Sequence, residues 1–400
     1  MVTGQPLPNL SDLGATLEVT DQGLTYVESS RFDTAPSPLH KEEQLHVSYS
    51  FGPSIFSKLN ETRVNDASIN PSRFSVLSKL GDGSFGDVFS AQDHDLNRQV
   101  ALKQFKGEHT HALNACHNEL RFIGRIEHPS VPPVYEAALS EDGHPYIVMK
   151  QVEGDTLEQI ILRLKAGDAP THAKYTFRVR IELIIQLLRV LDNAHSSRVL
   201  HRDIKPDNII VCERGELYLM DWGIAEDFDV ARDQPELCGT PLYFSPEQAR
   251  GHSLGIESDL YSVGAVAYEL LSLQSSAPQA DNLRDFIDKL STYKPKVVDQ
   301  NFHEVQGYSP SEFKPPIMKA LDRDPQRRHR SAVEMMYELE RALEGDFAIV
   351  CPRTMLKANM LRFHKWVDLR LRNIVFVYLV LFLVVGALIG CGVLIGVGFS

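Results

Sequence analysis

His201-Arg202-Asp203-Ile204-Lys205-Pro206-Asp207-Asn208 brings a carboxylate, an ammonium and a carboxamide within six residues of one another. The apolar helical run Ile181 to Leu191 leads towards it and the apolar strand Ile209-Ile210-Val211 leads away. The stretch therefore reads as a loop presenting polar groups between buried elements. A carboxylate at Asp203 can take a proton from a hydroxyl. An ammonium at Lys205 can neutralise charge on a moving phosphoryl group, and an amide oxygen at Asn208 can hold a divalent cation. These are the groups that phosphoryl transfer requires. His-Arg-Asp alone reads equally well as a polar loop with a helix cap; the remaining residues, in this order, argue against chance.

Upstream, Phe74 to Leu80 alternates like a strand, Gly81-Asp82-Gly83-Ser84-Phe85-Gly86 follows, and Asp87 to Ala91 is strand-like again. Three glycines in a hairpin turn let backbone N–H groups approach phosphate oxygens. Dinucleotide folds share this spacing, but there the third glycine opens a helix; here it runs into a β pattern. Arg98 to Phe105 is the next strand, and its one internal charge is Lys103. Such a lysine is either solvent-facing or buried with a partner. A helical stretch from about His111 to Ile126 offers Glu119, sixteen residues on. Downstream, the strand Glu216 to Met220 ends in Asp221-Trp222-Gly223, with Asp221 eighteen residues after Asp203. Its carboxylate suits a hard cation.

In this order the motifs resemble those of protein kinases, over roughly residues 74–344. The resemblance implies an α+β, bilobal protein-kinase fold, with a small β-rich lobe at 74–152 and a large helical lobe at 153–344. It implies ATP binding by Leu80, Gly81, Asp82, Gly83, Ser84, Phe85, Gly86, Asp87 and Val88, and by Lys103, whose partner would be Glu119. Met149 would be the gatekeeper, with the backbone of Lys150 and Val152 on adenine. Asp203 would act on the substrate hydroxyl and Lys205 on the transferring group. Asn208 and Asp221 would hold Mg²⁺, with Mn²⁺ as an alternative. Trp222 stands where the family has Phe, and Ser245-Pro246-Glu247 where it has Ala-Pro-Glu. Asp259 would hold the catalytic loop, and Arg328 would pair with Glu247. Lys205 together with Gly239-Thr240-Pro241 resembles serine/threonine rather than tyrosine kinases, so the expected partners are proteins with Ser or Thr acceptors. The best likeness is to the eukaryotic-like kinases of bacteria, several of them single-pass. From about Gln274 to Ser309 no familiar kinase pattern appears. Two rivals stand beside this reading. A pseudokinase scaffold would lack the Lys, the catalytic Asp or the metal Asp, and none is missing. A small-molecule kinase is disfavoured by the Gly-Thr-Pro and Ser-Pro-Glu elements.

Ile224 to Cys238 contains no Ser, Thr or Tyr, yet Glu226, Asp227, Asp229, Asp233 and Glu236 are acidic. In many such kinases Arg202 awaits a phosphate on this segment. Here a carboxylate of this segment, with Asp233 and Glu236 as first candidates, is expected to pair with it instead; simple solvated loop charge is the alternative.

A net charge of −12 and no long basic tract in the body of the chain argue against a general nucleic-acid binder. Five scattered cysteines without a CxxC pair suggest neither a zinc site nor a disulfide framework. Residues 1–73 are polar and broken by Pro and Gly, and read as a disordered leader, either a spacer or a regulatory tail; no signal peptide is visible. Ile374 to Phe399 carries no charge, long enough for a transmembrane helix. It follows a basic juxtamembrane segment, 345–373, with Arg353, Lys357, Arg362, Lys365, Arg370 and Arg372. That asymmetry predicts a single-pass tail anchor at 374–399 with the kinase domain cytoplasmic, and the basic stretch suits anionic lipid. Gly386/Gly390 and Gly392/Gly396 give two GxxxG spacings, either a homodimer face or small residues in a span.

Overall fold

The computed structural model describes residues 17–20, 23–26, 73–83, 86–140, 143–227, 239–290, 292–346, 354–357, 359–360, 363, 379 and 383. Its opening element is a hairpin of β1 (Leu17–Thr20) and β2 (Gly23–Tyr26), registered Leu17↔Tyr26 to Thr20↔Gly23. The leader reading places no element there, because four-residue strands are too short to show a sustained period.

The small lobe is an antiparallel sheet of β3 (Phe74–Gly83), β4 (Gly86–Asp93), β5 (Arg98–Phe105), β6 (Val134–Leu139) and β7 (Pro145–Lys150). The strand order is β3-β4-β5-β7-β6. Register shifts in β3 between Val76 and Ser78 and between Lys79 and Gly81 increase its local twist. Helix α1 (His109–Ile123) lies on one face, where its Ala112 and Cys116 meet Ala101, Phe105, Ile147 and Met149. It stops short of Ile126 because Arg125 and Ile126 donate to Phe122 and Ile123 in tighter three-residue turns. Strand β7 likewise ends at Lys150, before Val152.

The large lobe begins with β8 (Asp155–Thr156), α2 (Leu157–Lys165), α3 (Ala169–Lys174) and α4 (Phe177–Ser196). Thr156 and Thr176 cap α2 and α4 by accepting from Gln159 and Val179 N–H. Four short strands surround the polar loop: β9 (Val199–Leu200), β10 (Ile209–Val211), β11 (Leu217–Leu219) and β12 (Glu226–Asp227). Strand β10 pairs with β11 and β8, and β12 pairs with β9. After α5 (Pro246–Ala249) comes α6 (Ile256–Ser272), buried on every face from Ser258 onward. An all-round buried helix is the axis of a large core. Leu187 and Leu191 of α4 and Val263 and Leu270 of α6 join that core. So do Ile317 of α8 (Lys314–Ala320) and Met335 and Leu339 of α9 (Ala332–Leu343), while α7 (Leu283–Leu290) packs elsewhere.

The stretch without a familiar pattern holds α7 and a small hairpin, Phe302–His303 with Gly307–Tyr308. Phe286 and Leu290 of α7 pack on Phe244 and Ala249, so this region buttresses the segment following Gly239. No helix among the described residues is long and apolar enough to cross a membrane. The expected span at 374–399 lies outside them, apart from Leu379 and Leu383, which are helical and exposed. In the basic segment, the Lys357 ammonium pairs with the Glu312 carboxylate of the large lobe.

Candidate active site

Strand β5 carries Lys103 into the cleft, 5% exposed. Its Nζ lies 2.7 Å from Glu119 Oε2 of α1 and 2.8 Å from Asp221 Oδ1 after β11. The buried alternative for Lys103 is therefore the one realised, with Glu119 as partner. Burial works against the lysine's charge, but Asp221 and Glu119 together outweigh it and raise its pKa. Burial raises Glu119 in turn, while Lys103 overcomes burial to hold Asp221 down at about 2. Asn118 ties α1 to the same place, donating to Gly223 O at 3.1 Å. Sequence reading passed over Asn118, although its position beside Glu119 was a usable signal.

The Gly-rich stretch links β3 to β4, and β4 sets Val88 opposite Lys103 in the ladder to β5. An added Cβ on Gly86 would sit 2.4 Å from Gln104 O, so only glycine permits β4 to lie this close to β5. Asp82 and Asp87 are held by Lys79 and Lys106, at 2.6–3.2 Å. Ser84 and Phe85, at the turn, lie outside the described residues. Leu80 is exposed and Val88 packs against the small-lobe cluster. At the hinge, Lys150 N–H is taken up by Pro133 O at 3.1 Å.

In the polar loop, Asp259 of α6 accepts from His201 N–H and Arg202 N–H, each at 3.0 Å, and meets His195 Nε2 at 2.9 Å. Burial opposes the charge on Asp259, and these bonds nevertheless lower its pKa. They also hold Arg202 at φ 69°, a region non-glycine residues seldom enter. Asp203 Oδ1 accepts from Thr240 N–H at 2.9 Å, and its Oδ2 accepts from Asn208 Nδ2 at 3.0 Å. Lys205 Nζ lies 3.0 Å from Asp203 Oδ2 and donates to Thr240 Oγ1 at 2.7 Å. Burial disfavours the Lys205 ammonium, and Asp203 more than compensates. Gly239, at φ 115°, has room for no Cβ: one would lie 2.9 Å from the Phe244 ring and 3.2 Å from Asp203 Oδ1.

A hard divalent cation fits the oxygen donors here. Met220 N–H donates to Asn208 O, so the β10–β11 ladder sets Asn208 beside the chain entering Asp221. Asn208 turns its amide nitrogen to Asp203 and Asp221 turns Oδ1 to Lys103, which leaves one oxygen on each for a metal. Trp222 is 1% exposed, edge-on to His201 at 4.5 Å between ring centroids, and takes the apolar packing role expected of Phe. Arg328 meets Glu247 through two bonds of 2.6 and 2.8 Å, as expected. A carboxylate of the acidic segment does meet Arg202, as expected. Among the described residues it is Glu226, at 2.7 Å; Asp233 and Glu236 lie outside them. No local signal could have chosen it, since the β9–β12 register decides it.

The protein kinase domain family matches residues 74–338. The chain belongs to the protein kinase family. The kinase domain is 30% identical over 300 residues to serine/threonine-protein kinase PknD of Protochlamydia amoebophila, covering 68% of this chain and 30% of that protein. It is 32% identical to a probable serine/threonine-protein kinase of Clostridium perfringens, over 67% of this chain and 38% of the relative. With serine/threonine-protein kinase PrkC of Bacillus subtilis it shares 28% identity, over 68% and 41% of the two chains. The chain thus spans less than half the length of these relatives.

Proposed function

We propose that this chain is an ATP-dependent serine/threonine protein kinase tethered to a membrane by residues 374–399. The observation that carries the activity is the joined arrangement of Lys103, Glu119 and Asp221 with Asp203, Lys205 and Thr240. Lys103 holds the ATP phosphates. Asp203 orients the acceptor hydroxyl and takes its proton as the oxygen attacks the γ-phosphorus. The bond to the bridging oxygen breaks, ADP leaves, and Lys205 neutralises the charge that develops. A divalent cation on Asn208 and Asp221 would neutralise phosphate charge when bound. The names of the relatives support Ser and Thr as acceptors. Nothing favours a scaffold without activity, since Lys103, Asp203, Asn208 and Asp221 are all in place.

Radiolabelled ATP and Mg²⁺, incubated with the full chain and a generic basic protein, test the activity. Label is expected in the protein, with little from the Asp203→Asn control; equal label from both would overturn the reading. The tether is supported by the uncharged run at 374–399 behind its basic flank. The same charge asymmetry supports a kinase domain on the cytoplasmic side, and the GxxxG spacings offer a face to a second copy. The full chain is expected to stay in the membrane pellet through alkaline carbonate. Extraction by carbonate would remove the tether and leave the kinase reading intact.

A further inference from the structure

The transfer chemistry makes no use of the two carboxylates of β12. Glu226 Oε2 lies 2.7 Å from Arg202 Nη1, with side chains 12% and 6% exposed. Asp227 Oδ2 lies 2.8 Å from Arg125 Nη1, just beyond the end of α1, and Arg125 also donates to Ser197 O before β9. Successive residues of a strand face opposite ways. Two adjacent carboxylates can therefore reach two cations on different sides of one short strand. Strand β12 is fixed in turn by its ladder to β9, with Glu226 opposite Leu200 and Asp227 opposite Val199. One partner, Arg202, immediately precedes Asp203. The other, Arg125, continues the helix that carries Glu119.

A buried guanidinium beside the reacting carboxylate needs a countercharge. That charge can come from a phosphate added to the neighbouring segment or from a carboxylate already in the chain. Residues 224–238 contain no hydroxyl to receive a phosphate. The next one, Thr240 Oγ1, accepts from Lys205 within the site. Among the described residues, the countercharge on Arg202 is Glu226. We propose that Glu226 and Asp227 act as positioning residues, a built-in latch that holds Asp203 and α1 in their working arrangement without phosphorylation of the chain. This rests on the kinase reading.

The full chain, produced with a co-expressed phosphatase and shown phosphate-free by mass spectrometry, is compared with an autophosphorylated preparation for transfer to an external protein. The two initial rates are expected to agree within about twofold, because nothing in the latch needs a phosphate. Glu226→Gln is expected to lower kcat about 100-fold, the scale of a small misplacement of reacting groups, with the KM for ATP nearly unchanged. Glu226→Asp should recover part of that loss, and Asp227→Asn should lower kcat less than Glu226→Gln. Nucleotide binding by each variant confirms folding, and the split between kcat and KM separates positioning from general destabilisation. Activity that appears only in the phosphorylated preparation would overturn the latch and leave the kinase reading standing. Normal kcat in both Glu226→Gln and Asp227→Asn would do the same. No transfer from either wild-type preparation would overturn both.

Discussion

Replacing Glu247 by Gln isolates the energy of one buried ion pair. The Arg328 side chain is fully buried and Glu247 is 10% exposed, with two bonds of 2.6 and 2.8 Å between them. Arg328 also donates to Glu257 O and Asp322 O, and its guanidinium lies 4.8 Å from the Tyr261 ring centroid. Glutamine keeps the shape but removes the charge, and one of its terminal atoms must face a guanidinium N–H with another N–H. The loss combines a charge-assisted bond with an uncompensated buried cation, together about 3–5 kcal/mol. At roughly 2 °C per kcal/mol for a domain of this size, the melting midpoint should fall about 6–10 °C. Arg328→Met alone should cost a similar amount, because it strands the carboxylate with Ser258 as its remaining side-chain donor. The double variant Glu247→Gln/Arg328→Met should be more stable than the sum of the single losses, since neither charge is left alone. Urea unfolding followed by circular dichroism supplies all four corners of the cycle. Additive losses, or a Glu247→Gln loss below about 1 kcal/mol, would refute this account of the pair.

Acid should weaken the fold through the same kind of linkage. Asp221, Glu247 and Asp259 have folded pKa values below their ordinary ones, so their stabilisation is complete above about pH 4–5 and is lost as pH falls through the folded values. Glu119, raised by burial, opposes this trend. In Lys103→Met the largest charge contribution to the Asp221 depression is lost, and urea midpoints between pH 5 and 2 should decline less steeply than in the wild type. An unchanged slope would contradict the charge assignment. Gly239→Ala should lower kcat about tenfold or more while sparing nucleotide affinity, because its Cβ presses on Phe244 and Asp203 at a φ that alanine disfavours; steady-state kinetics decides. Asn208→Ala should raise the Mg²⁺ concentration needed for half-maximal activity, measured at fixed ATP, and an unchanged requirement would remove Asn208 from the metal site.

The catalytic loop, the Gly-rich hairpin and the Lys103–Glu119 pair were legible because each is a local pattern or a fixed spacing along one or two elements. The roles of Asp259 and Arg328 were legible only through the family resemblance of the motifs that carry them. Which acid of the segment meets Arg202 was not. Whether Glu226 or a later acid meets it depends on a two-residue ladder between β9 and β12, which no periodicity encodes. Region 274–309 was opaque because α7 has only eight residues and buries just Phe286 and Leu290. The limits of α1 and β7 were missed where tight turns and hinge backbone take over from regular hydrogen bonding.

Asp259 has a consequence for the timing of motion in this molecule. The amide hydrogens of His201 and Arg202 point into a carboxylate rooted in α6, the helix buried on every face. Solvent cannot exchange them by a small excursion of the loop, because the acceptor belongs to the lobe's interior. In a deuterium-exchange experiment these two positions should decay with the slowest amides of α6, well behind other loop amides. The reacting end of the molecule would then share a clock with its deepest core, and the nearby segments would be left to move on faster ones.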